Sequence, residues 1–275
     1  MSKTKSYEYK KNCEITELAV DSHAHLDRYE NADEIALRLK DDGVEFAVLM
    51  AGDEDSANWN KAFCEKHKGL CFMFGFHPFD IKEYSEDKFR QFFEDNKENK
   101  NLVGVGEIGL DYSRDNDEET KRLQEEVFVS QIRIASEFSL PISVHIRDAH
   151  DDAIRILKAN KQLLSKAGII HCCSATIEEV REYLALGFYI SFSGTITYGK
   201  KNQEFYLEKT LLEVPLDKLL IETDCPFLCP APYRGQTNEP KFVLVTAEKV
   251  AELLDVSVND LIRITRDNTK KLLNI

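Results

Sequence analysis

A (β/α)8 barrel of the TIM type, with a metal site at the C-terminal ends of its strands, is the fold this sequence predicts, on three observations. Eight short apolar runs recur along 275 residues with helix-like stretches between them, the alternation of a parallel sheet covered by helices. The length matches such a barrel, usually about 250 residues. The first run ends in histidines, where the competing doubly wound sheet would carry a G-x-G-x-x-G turn.

Residues 1–16 are polar and read as an extension outside the fold, which leaves 17–275 as one barrel domain. The predicted strands are "ELAVDSHAHL", "FAVLMAG", "CFMFGFHP", "LVGVGEIGLD", "LPISVHIRD", "AGIIHCC", "FYISFSG" and "KLLIETDCP". Between them run helical stripes. Leu123, Val127, Ile134 and Phe138 share one face, and Val243, Ala247, Val250 and Leu254 another, each suited to cover the outside of a sheet. Boundary residues agree: Asn31 precedes one helix, Gly187 follows another, and Pro141 opens a strand. The acidic stretch "SRDNDEETK" reads as a solvated loop and the first turn of a helix.

Hydrophobic residues make up 43% of the chain, enough for a sizeable core. A formal net charge of -13 excludes general electrostatic attraction to nucleic acid, because non-specific phosphate binding is driven by lysine and arginine. Nucleic-acid chemistry here would depend on local groups or metal ions. The seven cysteines are scattered without C-x-x-C spacing, which suits free thiols in a reducing compartment. No apolar run reaches membrane-spanning length, and "MSKTKSYEYKKNCE" lacks the apolar core of a signal peptide. A soluble, cytoplasmic protein without a membrane or stable protein partner is expected.

The pair His23 and His25 fits a metal grip, since residues two apart on a strand point the same way, but it equally fits two polar side chains ending a strand. The other strand ends decide. Glu107 ends strand four, His145 strand five, His171 strand six, and Glu222 and Asp224 strand eight. Barrel enzymes build their sites at these ends, and imidazoles and carboxylates converging on one rim are hard to satisfy without a cation. Imidazole and carboxylate without thiolate suit zinc or manganese, with magnesium where carboxylates and water dominate. These seven side chains exceed what one ion with an open position needs. Two divalent ions are therefore expected, bridged by Glu107, whose flanking glycines allow close backbone approach.

The motifs "DSHAHLD", "GFHP", "GEIGLDY", "LPISVHIRDAHDD", "IIHCCSA", "GFYISFSG", "ETDCPFL" and "PYRGQTNEP" resemble, in order, those of the TatD family of metal-dependent deoxyribonucleases in the amidohydrolase superfamily. The resemblance runs from about residue 17 to the C-terminus. It implies a TIM-type barrel and a hydrolase of DNA phosphodiester bonds in cytoplasmic DNA repair or degradation; exonuclease action is the expectation, with the motifs alone compatible with endonuclease action too. It also implies one ion held by His23, His25, Glu107 and Asp224, and a second held by Glu107, His145 and His171. Ala24 stands where many members carry cysteine, and Cys173 and Ala175 replace an aromatic residue and a glycine of H-C-F-S-G, changes that touch pocket shape and no ligand.

Asp224 is expected to accept the proton of the attacking water, beside Glu107 as the other catalytic carboxylate. For substrate binding the candidates are His77, at the end of strand three, Arg147, two residues beyond His145 with a fork suited to phosphate, and Arg234, on the long loop after strand eight. Each has a structural alternative: a turn hydrogen bond for His77, an ion pair with Asp148 or Asp151 for Arg147, an ordered loop for Arg234. Asp111 orients a ligand or caps its loop. His67, facing solvent on a helix, and His150 read as structural, Cys172 and Cys173 as packing, and Trp59 as a helix-face core residue.

Two rivals accompany this reading. The same site could hydrolyse an amide, ester or lactone, or deacylate aminoacyl-tRNA; barrels of that kind often bridge their metals with a modified lysine on strand four, where "LVGVGEIGLD" has none. A non-catalytic binding barrel would be expected to have lost ligands, and none is missing.

Overall fold

The structure, a computed structural model, describes residues 8–114, 117–164, 166–198 and 206–275. Eight strands follow one another in space as in sequence: β1 (Ala19–Ala24), β2 (Val44–Ala51), β3 (Leu70–Phe74), β4 (Leu102–Asp111), β5 (Ile142–Arg147), β6 (Ile169–Ile170), β7 (Tyr189–Phe192) and β8 (Leu219–Ile221). Each pairs with the next in parallel. The ring closes just beyond β8, where Ala24 and Cys225 form a parallel bridge. There His25 N donates to Cys225 O at 2.8 Å and Asp224 N to His23 O at 3.0 Å. The seam of the TIM-type barrel thus runs through the candidate site residues His23, His25 and Asp224.

Helices α1 (Ala32–Arg38), α2 (Glu54–Lys66), α3 (Glu86–Asp95), α4 (Glu118–Glu137), α5 (His150–Ala159), α6 (Ile177–Ala185), α7 (Tyr206–Leu212) and α8 (Val243–Leu254) intervene or follow, and α9 (Val258–Leu273) ends the chain. Side-chain alternation sorts the core into two shells. Val48 and Met50 of β2 join Val20, Met73, Val103, Ile169 and Leu220 from other strands in the barrel interior. Ala47 and Leu49, one residue out of phase, pack in the second shell with residues of the surrounding helices. In the α4 stripe Val127 and Ile134 are buried, and in the α8 stripe Val243, Ala247 and Val250. Trp59 stacks on Phe63 with ring centroids 4.3 Å apart, half-buried on a helix face against the core.

The ninth helix goes beyond the eight-unit expectation. Ser257 caps it, accepting from Asp260 N, and Leu272 and Leu273 join the interior cluster at its C-terminal end. The polar extension, where it is described, is anchored on the barrel and does not lie outside the fold as expected. Tyr9 packs edge-on against Tyr233 and Phe242, Asn12 donates to Glu248, and Asn259 on α9 receives Thr16 N and donates to Glu14 O. Its apolar side chains and its turns account for this: Tyr9 and the buried Ile15 find partners that composition alone does not reveal.

His67 also departs from its expected place on a solvent-facing helix surface. It lies just past α2, is buried, meets Asp33 through Nε2 at 2.5 Å and packs on Phe63. Its role is structural, as expected, though it is reached through burial.

Candidate metal centre

Glu107 occupies the centre of the rim. A register shift in β4 between Val105 and Ile108 brings it there, and the glycine two residues on permits the approach of β5. Gly109 has φ +144°, and a Cβ on it would lie 2.0 Å from the carbonyl oxygen of His145. Any other residue would push apart the two strands that carry these ligands.

The two carboxylate oxygens of Glu107 face different partners. Oε2 lies 3.4 Å from His23 Nε2 and 3.7 Å from His25 Nε2. Those two nitrogens are 3.2 Å apart, and Asp224 Oδ1 lies 3.6 Å and 3.5 Å from them. An ion bound tetrahedrally at about 2.0–2.1 Å separates its ligand atoms by about 3.3–3.4 Å. The His23, His25 and Asp224 atoms are spaced near those values, with Glu107 Oε2 close to both imidazoles. Oε1 lies 2.9 Å from His145 Nδ1 and 2.8 Å from His171 Nε2, with 3.2 Å between those nitrogens. This second group lies at hydrogen-bond distance. Converging triads of metal-ligating atoms comprise His23, Glu107 and His171; His23, His25 and Asp224; and His77, Glu107 and His145.

The converging imidazoles are themselves held. His145 Nε2 meets Asp111 Oδ2 at 3.0 Å, and Asp111 is fixed by the backbone and hydroxyl of Ser113. His171 Nδ1 lies 3.3 Å from Glu222 Oε1, which also receives Cys172 N at 2.7 Å. Carboxylates in this position fix the tautomer of a ligating imidazole and raise its basicity. Asp111 takes the orienting role left open by the sequence, and Glu222, two residues before Asp224, takes the same role. Buried Asp21 accepts from Thr223 N at 2.9 Å and from its hydroxyl at 2.5 Å, tying β1 to the chain beyond β8 between two ligands. Burial pushes the Asp21 carboxyl up to about 8.

Electrostatics follow from this crowding. Burial opposes ionisation of Glu107, but the charges of His171 and His23 and hydrogen bonds from His145 and His171 outweigh it and hold the carboxyl well below its usual range. Burial likewise opposes protonation of His171, yet Glu107 and Glu222 raise it well above an ordinary imidazole. His25 and His145 are raised by neighbouring carboxylates against the same burial. His23 is lowered by burial and by the charge of His171, against which its ring stacks at 3.9 Å.

A cleft of about 310 Å³ opens over these groups, with His77, Arg147, Phe79, Phe227, Arg28 and Arg114 in its walls. His77 Nδ1 accepts from Phe79 N at 3.2 Å, so the proton of a neutral ring sits on Nε2, 3.9 Å from Glu107. Burial lowers its pKa to about 4, which keeps it neutral. Arg147 stands exposed at the mouth, without a carboxylate in ion-pair range among the described residues. The sequence reading missed Arg28 and Arg114. They lie just beyond "DSHAHLD" and "GEIGLDY", where position past a strand end was the available signal. Arg234 is not brought into the cleft: its guanidinium lies over the Tyr198 ring at 4.2 Å. Its loop is tied back by Asn238, which donates to Thr223 O and Phe227 O.

Cys172 lies 3.2 Å from Ser193 Oγ and its thiol is pushed well up by burial. Without a base it is no nucleophile. His150 is engaged by Tyr183 and Ser174. All seven cysteines are free.

A barrel with histidine and carboxylate triads converging at the C-terminal rim, beneath an open cleft, defines a metal-dependent hydrolase. The family model described as TatD related DNase matches residues 20–274. The chain belongs to the TatD family. It is 37% identical over 260 residues to the uncharacterized metal-dependent hydrolase YabD of Bacillus subtilis, covering 93% of this chain and 98% of that one. It is 30% identical over 251 residues to the 3'-5' ssDNA/RNA exonuclease TatD of Erwinia tasmaniensis, covering 88% and 93% respectively. Among solved structures, the TatD homologue YJJV of Escherichia coli matches with a TM-score of 0.85 and 25% identity, over 94% of this chain and 98% of that one. No helix among the described residues is long and apolar enough to cross a membrane.

Proposed function

We propose that the protein hydrolyses phosphodiester bonds in nucleic acid, DNA in the first place, with two divalent ions bridged by Glu107. The observation that carries this reading is that the two oxygens of one buried carboxylate face different imidazole pairs, His23 with His25 and His145 with His171. His23, His25, Glu107 and Asp224 would hold one ion; Glu107, His145 and His171 would hold the other. Zinc, manganese and magnesium suit this donor set. When bound, such ions polarise the phosphoryl oxygens and make water acidic enough to attack at neutral pH.

The chain's own residues supply the rest. Asp224 is held ionised: burial opposes its charge, but a hydrogen bond from His25 and the charge of neighbouring histidines prevail. It can therefore accept the proton of the attacking water. His77 presents a neutral N–H to the cleft and suits a phosphoryl oxygen. Arg147, Arg28 and Arg114 would hold neighbouring phosphates through their planar forks. Arg234 can join them only if its loop leaves Tyr198. This local guanidinium set answers the overall negative charge, because phosphate affinity is required only at the cleft. The relative named 3'-5' ssDNA/RNA exonuclease TatD supports a single-stranded substrate and exonucleolytic action. Free thiols fit a cytoplasmic setting.

The test is incubation of metal-loaded protein with end-labelled single- and double-stranded DNA and RNA, beside amide, ester and lactone substrates. Stepwise shortening of the single strands is expected, lost on chelation and restored by divalent metal. Silence on every nucleic acid with turnover of a lactone or amide would overturn the proposal.

A further inference from the structure

Phe227 is the one strongly exposed phenylalanine among the described residues, 54% accessible, and it stands in the wall of the cleft. Its backbone is not loose. Phe227 N donates to Asp224 O at 2.9 Å, and Phe227 O receives the Asn238 amide at 2.6 Å. The ring stands beside that of His25, with centroids 6.2 Å apart at 67°. A large apolar ring fixed by its main chain beside a metal ligand and left open to solvent gains nothing for the fold from that exposure.

The far side of the site repeats the arrangement. Phe79 lines the same cleft, 4.9 Å from the His77 ring, which in turn stands 4.6 Å from His145. The Arg114 guanidinium covers one face of Phe79 at 4.3 Å. Phe79 is thus partly engaged, whereas Phe227 offers its ring to a ligand.

We infer that Phe227 is a stacking platform for a nucleobase next to the scissile phosphate, so that the cleft takes strands whose bases are unpaired. The inference rests on the phosphodiester reading above and adds base recognition to it. Unpaired bases stack on aromatic rings irrespective of identity, and a base paired within a duplex has no free face for Phe227. Affinity for the base then comes from the ring and affinity for the backbone from the arginines and ions, two separable contributions.

The experiment compares kcat/KM for a single-stranded thymidine oligomer with that for an oligomer of the same length made of abasic residues, in wild type, Phe227→Ala and Phe227→Trp, all metal-loaded. Wild type is expected to prefer the oligomer with bases by about tenfold or more, the scale of one base–aromatic stack. Phe227→Ala should bring that ratio towards unity, and Phe227→Trp should keep it. An unchanged ratio in Phe227→Ala, or equal loss on both oligomers, would overturn the inference while leaving the phosphodiester reading in place. Wild type that cuts neither oligomer would overturn the phosphodiester reading itself. Metal content and thermal unfolding of each variant establish that the site is intact.

Discussion

Glu107→Ala is expected to lower divalent-dependent hydrolysis by about a thousandfold or more, because bound metal contributes several kcal/mol to the transition state and each 1.36 kcal/mol is tenfold in rate. Among the described residues, Glu107 is the carboxylate placed against both imidazole pairs. Removing it takes a ligand from His23 and His25 on one side and from His145 and His171 on the other. The barrel itself should persist, since its interior is filled from seven strands by apolar side chains such as Val48, Met73 and Leu220. Circular dichroism and cooperative thermal unfolding check that. Glu107→Gln, which keeps the volume and loses the charge, should fail similarly. Full activity in either folded variant would contradict the proposed role.

Metal binding at neutral pH is expected to release protons, chiefly from His171, which stands well above an ordinary imidazole. The sign follows from the shifts. Glu107 is held ionised and His171, His25 and His145 are raised above an ordinary imidazole. Protons on these rings compete with the ion, which needs neutral nitrogen. His23, already lowered, contributes none. Affinity is therefore greatest at high pH and falls as pH drops through the raised histidine values. The stabilisation that the ion confers on the folded state falls with it. Calorimetric titration in buffers of different ionisation enthalpy measures the protons directly; heats independent of buffer would contradict this account.

The strands were legible because apolar runs in this chain end in chemistry-bearing residues. Their convergence follows once the runs form one parallel ring. His23 and His25 are two apart and meet through Nε2, although β1 ends at Ala24 and His25 lies just past it. Alternation stops helping at such ends. Glu222 and Asp224 would share a face on a regular strand, yet β8 stops at Ile221 and Asp224 takes φ +56°. One carboxylate orients His171 while the other joins His23 and His25. Loops were least legible. Arg28 and Arg114 reach the cleft and Arg234 does not, and these outcomes depend on which neighbours capture the chain: Tyr198 for the Arg234 side chain, Asn238 for its loop. The anchoring of residues 8–16 was hidden for the same reason, since it depends on α8 and α9 partners more than 200 residues away.

The most direct measurement of the central claim is anomalous diffraction from crystals grown with manganese, collected for wild type and Glu107→Ala. Two peaks about 3.5–4 Å apart are expected in wild type, one beside His23, His25 and Asp224, the other beside His145 and His171, with Glu107 between them. A single peak in fully loaded wild type, or two undisturbed peaks in Glu107→Ala, would contradict a carboxylate-bridged pair.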